Sequence, residues 1–235
     1  MSRATMNAEL EKEKMMEDGG SGIVASERVL AAWEIASVTV SVLIAEWIVL
    51  TFAGSKLFLT VPIALAFALM FLSHIARRES AREIGWRFDN FGQAARLLAL
   101  PMIVIAIVLI FTGVLLKSIR LEREQILGWL AWLPIWGLAQ QYALQGFINR
   151  RAQILYGRGW RSLLLVALIF TLLHLPNPWL SVATFAGGLL WAYVYQRAPN
   201  LPALALSHAV MSMILALSLP ADALNSLRVG IKYFG

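Results

Sequence analysis

The sequence predicts an all-α protein, a polytopic transmembrane helical bundle of about seven spans. Two observations support this class. Of the 235 residues, 59% are apolar and only 14% carry charge. The apolar residues form runs of membrane-spanning length that recur from Val29 onward, and the charged residues lie between these runs. The chain is therefore expected to be integral to a lipid bilayer, with one membrane domain.

The residue types that are missing or in excess exclude several kinds of chemistry and binding. The sequence contains no cysteine, which excludes disulfides, thiolate nucleophiles, thiolate metal sites and lipidation of this chain on cysteine. The net charge of +6 comes from lysine and arginine in the connecting loops. We interpret this charge as membrane topology and contact with anionic lipid head groups, and not as nucleic-acid binding.

The composition divides the chain into three parts. Residues 1–28 are polar, of mixed charge, and contain a Gly-Gly-Ser-Gly run, which predicts a disordered or weakly helical cytoplasmic tail with a flexible linker. The membrane domain is predicted over 29–219, and a short C-terminal tail over 220–235. The predicted spans lie at about 29–53, 57–76, 97–116, 126–148, 162–175, 179–196 and 201–219.

The distribution of lysine and arginine predicts the orientation. With these spans, fourteen lysines and arginines lie on the side of the N-terminus and six on the other side. Cytoplasmic loops carry the excess of positive charge. The N-terminus is therefore predicted to be cytoplasmic, in a membrane of the bacterial cytoplasmic type.

The fifth span is short. Its fourteen residues rise only about 21 Å against a hydrocarbon core of about 30 Å. Pro176 and Pro178 stop the helix at this point. We therefore expect the end of this span, which carries His174, to lie inside the protein.

Polar side chains recur at similar depth in three of the apolar spans. Measured from the predicted cytoplasmic side, the first glutamine of the fourth span lies about 12 Å deep, and the two histidines about 18 and 10 Å deep. Such groups have no water to bond to, so they form either a buried site or hydrogen bonds between helices. The candidate site residues are Gln140, Gln141, Gln145, His174, His208 and Ser212.

The motifs that carry these residues resemble those of a known family. They are Gln140-Gln141-Tyr-Ala-Leu-Gln145-Gly, Phe170-Thr-Leu-Leu-His174 and His208-Ala-Val-Met-Ser212, within residues 126–216. Their order and spacing resemble the CPBP family of intramembrane glutamic proteases, which includes type II CAAX prenyl endopeptidases and bacteriocin-processing or self-immunity proteins. The resemblance implies a CAAX-protease-like helical fold.

The departures from the family pattern bear on activity. The family carries Glu-Glu-x-x-x-Arg in the first motif, and the resemblance implies that its first glutamate, helped by histidine, activates water. Gln140 and Gln141 are neutral amides that cannot accept this proton. Gln145 replaces the family arginine and Ser212 the family asparagine. We therefore expect a reduced or inactive peptidase that acts by binding a peptide or a prenylated protein tail, or in self-immunity.

Several alternatives remain open from the sequence. An active endopeptidase would use His174 and His208 as its base, or Glu34 or Glu46 as a substitute carboxylate. A small transporter is a further alternative. No cofactor is expected, and no metal, because there is no His-Glu-x-x-His motif and two histidines lack an acidic third ligand. His74, at the cytoplasmic end of the second span, is interpreted as an interfacial residue.

Overall fold

The computed structural model describes residues 3–52, 57–121 and 123–235, and all regular structure in these residues is helical. The predicted all-α class is confirmed. The helices are α1 (Arg3–Ile44, which continues through a π-helical turn at Ala45–Val49 to Phe52), α2 (Leu57–Ala76), α3 (Ala81–Ile84), α4 (Phe91–Leu115), α5 (Arg123–Gln141), α6 (Arg150–Tyr156), α7 (Trp160–Leu172), α8 (Pro178–Arg197) and α9 (Leu201–Ser218). A π-helical segment, Tyr142–Asn149, joins α5 to α6 without a break.

Each predicted span corresponds to a helix, with the fourth formed by α5 and the π-helical segment. Three segments are long and apolar enough to cross a bilayer: Val24–Phe52, Phe91–Leu115 and Leu201–Ser218. Thr60–Ala76 and Trp160–Leu172 are shorter apolar helices. The protein is therefore a helical membrane protein whose environment is a lipid bilayer. The predicted division of the chain at residue 28 falls within α1 and stays a prediction.

The core forms where helices approach closely at glycines. The bundle pairs α9 with α5 and α4, α8 with α7, and α1 with α2 and α6. A Cβ on Gly137 of α5 would lie 3.0 Å from the carbonyl oxygen of Ala205, and one on Gly188 of α8 would lie 2.9 Å from Cα of Ala167. Small residues permit such contacts between membrane helices. These two contacts fix the positions of α9 and α7 against their neighbours.

The short fifth span is closed at its far end by the C-terminal residues. Helix α7 ends at Leu172, so His174 lies in the turn that follows. The side chain of Asn177 caps α8 by accepting from the backbone of Leu180, and it donates to the carbonyl of Leu224 at 2.7 Å. The backbone N–H of Gly230 donates to the carbonyl of Leu175 at 2.8 Å. The turn that carries His174 is thus held between α8 and the C-terminal segment.

Candidate functional site

Gln141 and His208 meet across the contact between α5 and α9. Gln141 is fully buried, and its side-chain Nε2 lies 3.1 Å from Nδ1 of His208. Gly137, one turn earlier on α5, faces Cβ of His208, and a Cβ added there would lie 3.6 Å from it. The absence of a side chain at Gly137 lets α9 come close enough for this hydrogen bond.

Aromatic rings surround the two histidines. The ring of Phe170 lies edge-on to His174, with centroids 4.7 Å apart, and 5.9 Å from the ring of His208. Trp191 stacks on His208 at 4.5 Å, and its indole N–H donates to the hydroxyl of Ser207 at 2.9 Å. Phe170 therefore lies between the two histidines, and α7, α8 and α9 together fix their ring planes.

Hydrogen bonds assign complementary tautomers to the histidines. Nδ1 of His174 lies 2.7 Å from the carbonyl oxygen of Phe170, so it carries the proton and leaves Nε2 as the basic nitrogen. The side-chain amide of Gln141 donates to Nδ1 of His208, so neutral His208 carries its proton on Nε2. One histidine therefore offers an acceptor and the other a donor.

Gln145 belongs to a neighbouring amide network. Nδ2 of Asn149 donates to Oε1 of Gln145 at 2.8 Å and to the carbonyl of Ala192 at 3.3 Å. The amide of Gln196 donates to Oδ1 of Asn149 at 3.1 Å. These bonds join the π-helical segment to α8. They satisfy polar groups that would otherwise face an apolar interior.

The structure does not bring all six candidate residues together. His174 and His208 both contact Phe170 and Gln141 bonds to His208, whereas Gln145 bonds to Asn149. Gln140 and Ser212 are half-buried and form no hydrogen bond within the described ranges. Their roles stay predictions from the sequence.

The two carboxylates of the first span have different surroundings. Glu34 accepts a hydrogen bond from the hydroxyl of Ser73 at 2.5 Å and pairs with Arg77 at 3.0 Å and with Arg151 at 2.9 Å. Glu46 lies against the C-terminal segment, where a Cβ added to Gly230 would be 2.9 Å from its own Cβ. The ion pairs of Glu34 give no support for a catalytic role of that residue. Gly230 also donates to the carbonyl of Leu175, the residue after His174, so a catalytic role of Glu46 stays a prediction from the sequence.

Sequence reasoning missed an ionic cluster at the predicted cytoplasmic end of the bundle. Its members are Glu34, Ser73, His74, Arg77, Glu79, Arg150 and Arg151. Arg151 is fully buried, and its guanidinium pairs with Glu34 and, at 2.9 Å, with Glu79. Arg150 pairs with Glu79 at 2.6 Å. A buried arginine requires carboxylate partners, so the adjacent Arg150 and Arg151 are the feature of the sequence that could have indicated the ionic cluster.

Glu79 is the centre of this cluster. Burial opposes its ionised form, but hydrogen bonds from His74, Arg151 and Arg150 hold the pKa of the Glu79 carboxyl well below its ordinary value. Nδ1 of His74 lies 2.5 Å from Glu79 Oε2. The interfacial position expected for His74 stays a prediction, but its side chain is not free: Glu79, just beyond the end of α2, pairs with His74, and only 4% of His74 is exposed.

An apolar groove of about 820 Å³ lies between α2 and α5, and the ionic cluster closes one end of it. Nε2 of His74, which borders this groove, is buried and has no hydrogen-bond partner among the described residues. The groove is lined by Phe67, Ala68, Phe71, His74, Ile75, Glu79, Ala81, Ile84, Trp86, Ile135, Leu138, Ala139 and Tyr142.

The described part of the chain holds no group of three or more side chains that could bind a metal. The arrangement is thus a histidine and amide site inside a helical membrane protein, beside an apolar groove. Residues 122–214 match the sequence model of the Rce1-like family of type II CAAX prenyl endopeptidases. This match spans all three motifs and confirms the resemblance drawn from them, so the chain contains an Rce1-like domain. No curated protein and no solved structure matches.

Proposed function

We propose that this protein binds a peptide or a prenylated protein tail within its CAAX-protease-like domain and cleaves it slowly or not at all. The observation that carries the proposal is the hydrogen bond from Gln141 to His208. A carboxylate at this position would accept a proton from water, whereas the amide only donates to the histidine. The fold is kept while the expected base is absent.

The apolar groove supports the binding part of the proposal. Its volume of about 820 Å³ lies within the range of small-molecule binding sites, and its lining is mostly aliphatic and aromatic. A prenyl chain is apolar along its length and ends in a peptide that forms hydrogen bonds. His74, with its free Nε2, lies where the groove meets the polar cluster. The groove therefore suits an apolar chain with one polar end, whether it belongs to a client protein or to a self-immunity partner.

Binding of a fluorescent farnesylated peptide to the full-length protein in liposomes tests this proposal. Ala139→Trp would fill the groove from α5 and should weaken binding about tenfold. Ala131→Trp is the matched control, because Ala131 is exposed on the same helix and does not line the groove. The unprenylated peptide should bind more weakly to all variants. Equal affinity of the two tryptophan variants, or of the two peptides, would contradict the proposal.

A second candidate is an active endopeptidase in which the histidines supply the base. The complementary tautomers favour it, because His174 offers a basic Nε2 and His208 an Nε2–H that can donate to an oxyanion. In this mechanism His174 would take a proton from water as the water attacks the peptide carbonyl. His174 would then return the proton to the leaving amine. Turnover that depends on His174 separates this candidate from the first.

A further inference from the structure

A second recess, of about 330 Å³, lies at the end of the bundle predicted to be cytoplasmic. Unlike the apolar groove, it is bordered by four arginines, and we call it the arginine recess. The groups that matter here are Arg82, Arg87, Arg150 and Arg158, with Tyr195 and Gln196 on α8. The recess shares Arg150 with the ionic cluster, and neither the histidine and amide site nor the proposed function uses the recess itself.

Two of the arginines share one carboxylate. Arg82 pairs with Asp89 at 2.6 Å, and Arg87 pairs with the same carboxyl group. The hydrogen bond from Arg87 lowers the pKa of Asp89 to about 2, so this carboxylate stays ionised. One negative charge therefore faces two guanidinium groups at the mouth of the recess.

The carboxylate that lines the recess, Glu83, bonds to groups outside it. Oε2 of Glu83 accepts from both the backbone N–H and the hydroxyl of Ser80, as part of the capping box of α3. Arg150 is held by Glu79 and by the carbonyl oxygen of Glu83. The carboxylates are thus occupied by the local structure, and the recess keeps an excess of positive charge.

Arg158 supplies the excess positive charge of the recess. Its Nε donates to Oε1 of Gln153 at 3.2 Å, and it pairs with no carboxylate in the part of the chain that the structure describes. The flanking residues, Gly157 and Gly159, have φ angles of 73° and 130°, which residues with a side chain rarely adopt. The N–H of Gly159 donates to Oε1 of Gln196 at 3.0 Å. This turn holds Arg158 at the recess.

The far wall of the recess is fixed before any ligand binds. Tyr195 is 2% exposed and its hydroxyl donates to the carbonyl of Ile84 at 2.7 Å. The amide of Gln196 donates to the hydroxyl of Ser162 at 2.9 Å. Because these bonds already hold the wall, an anion that enters would order few further groups.

We propose that the arginine recess binds a phosphate group. Guanidinium groups offer paired donors that match phosphate oxygens. A phosphate that accepts hydrogen bonds from two arginines would provide an anionic partner for Arg158 together with Arg82 or Arg87. A source at the membrane surface is favoured, since Phe88, next to Arg87 in the chain, is 76% exposed and Trp160, two residues after Arg158, is 68% exposed, as expected for aromatic residues at a bilayer interface. A phospholipid head group and a free phosphate share this chemistry.

Native mass spectrometry of the full-length protein tests the proposal with three probes: phosphatidylglycerol, phosphatidylcholine and inorganic phosphate. Phosphatidylglycerol should bind in preference to phosphatidylcholine, and Arg158→Gln should weaken it about tenfold. Arg161→Gln is the matched control, because Arg161 stacks on the ring of Trp160 and does not line the recess. Binding of inorganic phosphate with the same dependence on Arg158 would identify a free phosphate as a sufficient ligand, and its absence would identify the lipid head group.

A second variant keeps the test independent of folding defects. Gln153→Glu would place a carboxylate beside Arg158 and should weaken phosphatidylglycerol binding while the guanidinium remains. Equal losses in Arg158→Gln and Arg161→Gln would overturn the proposal, as would a lack of preference for phosphatidylglycerol together with no Arg158-dependent binding of inorganic phosphate. Both variants should still bind the farnesylated peptide. Failure of the recess is therefore distinguishable from failure of the proposed function.

Discussion

The side-chain Nε2 of Gln141 donates a hydrogen bond to Nδ1 of His208 across 3.1 Å, and both residues are buried. The bond ties the motif on α5 to the motif on α9 and fixes the tautomer of the histidine. The neutral amide of Gln141 can act here only as a hydrogen-bonding group. Residue 141 therefore contacts His208, and the group that it presents there is an amide and not a carboxylate.

Restoring carboxylates to α5 should raise hydrolysis. Gln140→Glu with Gln141→Glu supplies a base beside His208, and we expect turnover of a farnesylated peptide in liposomes to increase at least about tenfold over the wild type. Gln145 in place of the family arginine should keep the gain below that of a complete motif. Adding His208→Ala to the double variant should remove the gain. An unchanged rate in a folded double variant would argue against a peptidase site at this position.

The unmodified protein should cleave no faster than its His174→Ala variant. The basic Nε2 of His174 is expected to contribute little without a carboxylate that activates water with it. A fluorogenic library of membrane peptides, assayed with both proteins in liposomes, measures this. Cleavage that is present in the wild type and lost in a folded His174→Ala would instead establish the histidine-based endopeptidase.

The close contact between α5 and α9 should depend on the absence of a side chain at Gly137. Gly137→Ala forces a Cβ to within 3.0 Å of the carbonyl oxygen of Ala205, and we expect a loss of about 1–3 kcal/mol in the free energy of unfolding. Gly128→Ala is the matched control on the same helix, because a Cβ there meets nothing within 4 Å. The control should be neutral or slightly stabilising. Thermal unfolding in detergent compares the two, and equal melting temperatures would contradict the close approach.

Glu79 should make the stability of the protein depend on pH in the acidic range. Its pKa is lowered in the folded state from the ordinary 4.5, so its contribution to stability is complete above about pH 4.5 and is lost as the pH falls toward the folded pKa. The melting temperature should therefore fall on acidification below about pH 4.5. Glu79→Gln should melt lower at neutral pH and lose part of this acid dependence. The same acid dependence in both proteins would assign it to other carboxylates.

The helical spans and the order of the three motifs can be read from the amino-acid sequence alone. Apolar runs in a bilayer must satisfy their backbone groups internally, so their positions predict α2, α7 and α9 closely. Pro176 and Pro178 likewise predict the short fifth span, since proline lacks the backbone N–H that would continue the helix. These features depend on local chemistry that can be read along the chain.

Which polar groups meet depends on the packing of the helices. Gln141, and not its neighbour Gln140, reaches His208, because adjacent residues point to different sides of a helix and α9 approaches only one of them. The pair of Glu79 with Arg151, 72 positions apart, depends on how the loop after α2 folds back onto α6. Whether a charge is buried and paired is set by the surrounding helices, so the ionic cluster, the apolar groove and the arginine recess became visible only in the folded chain.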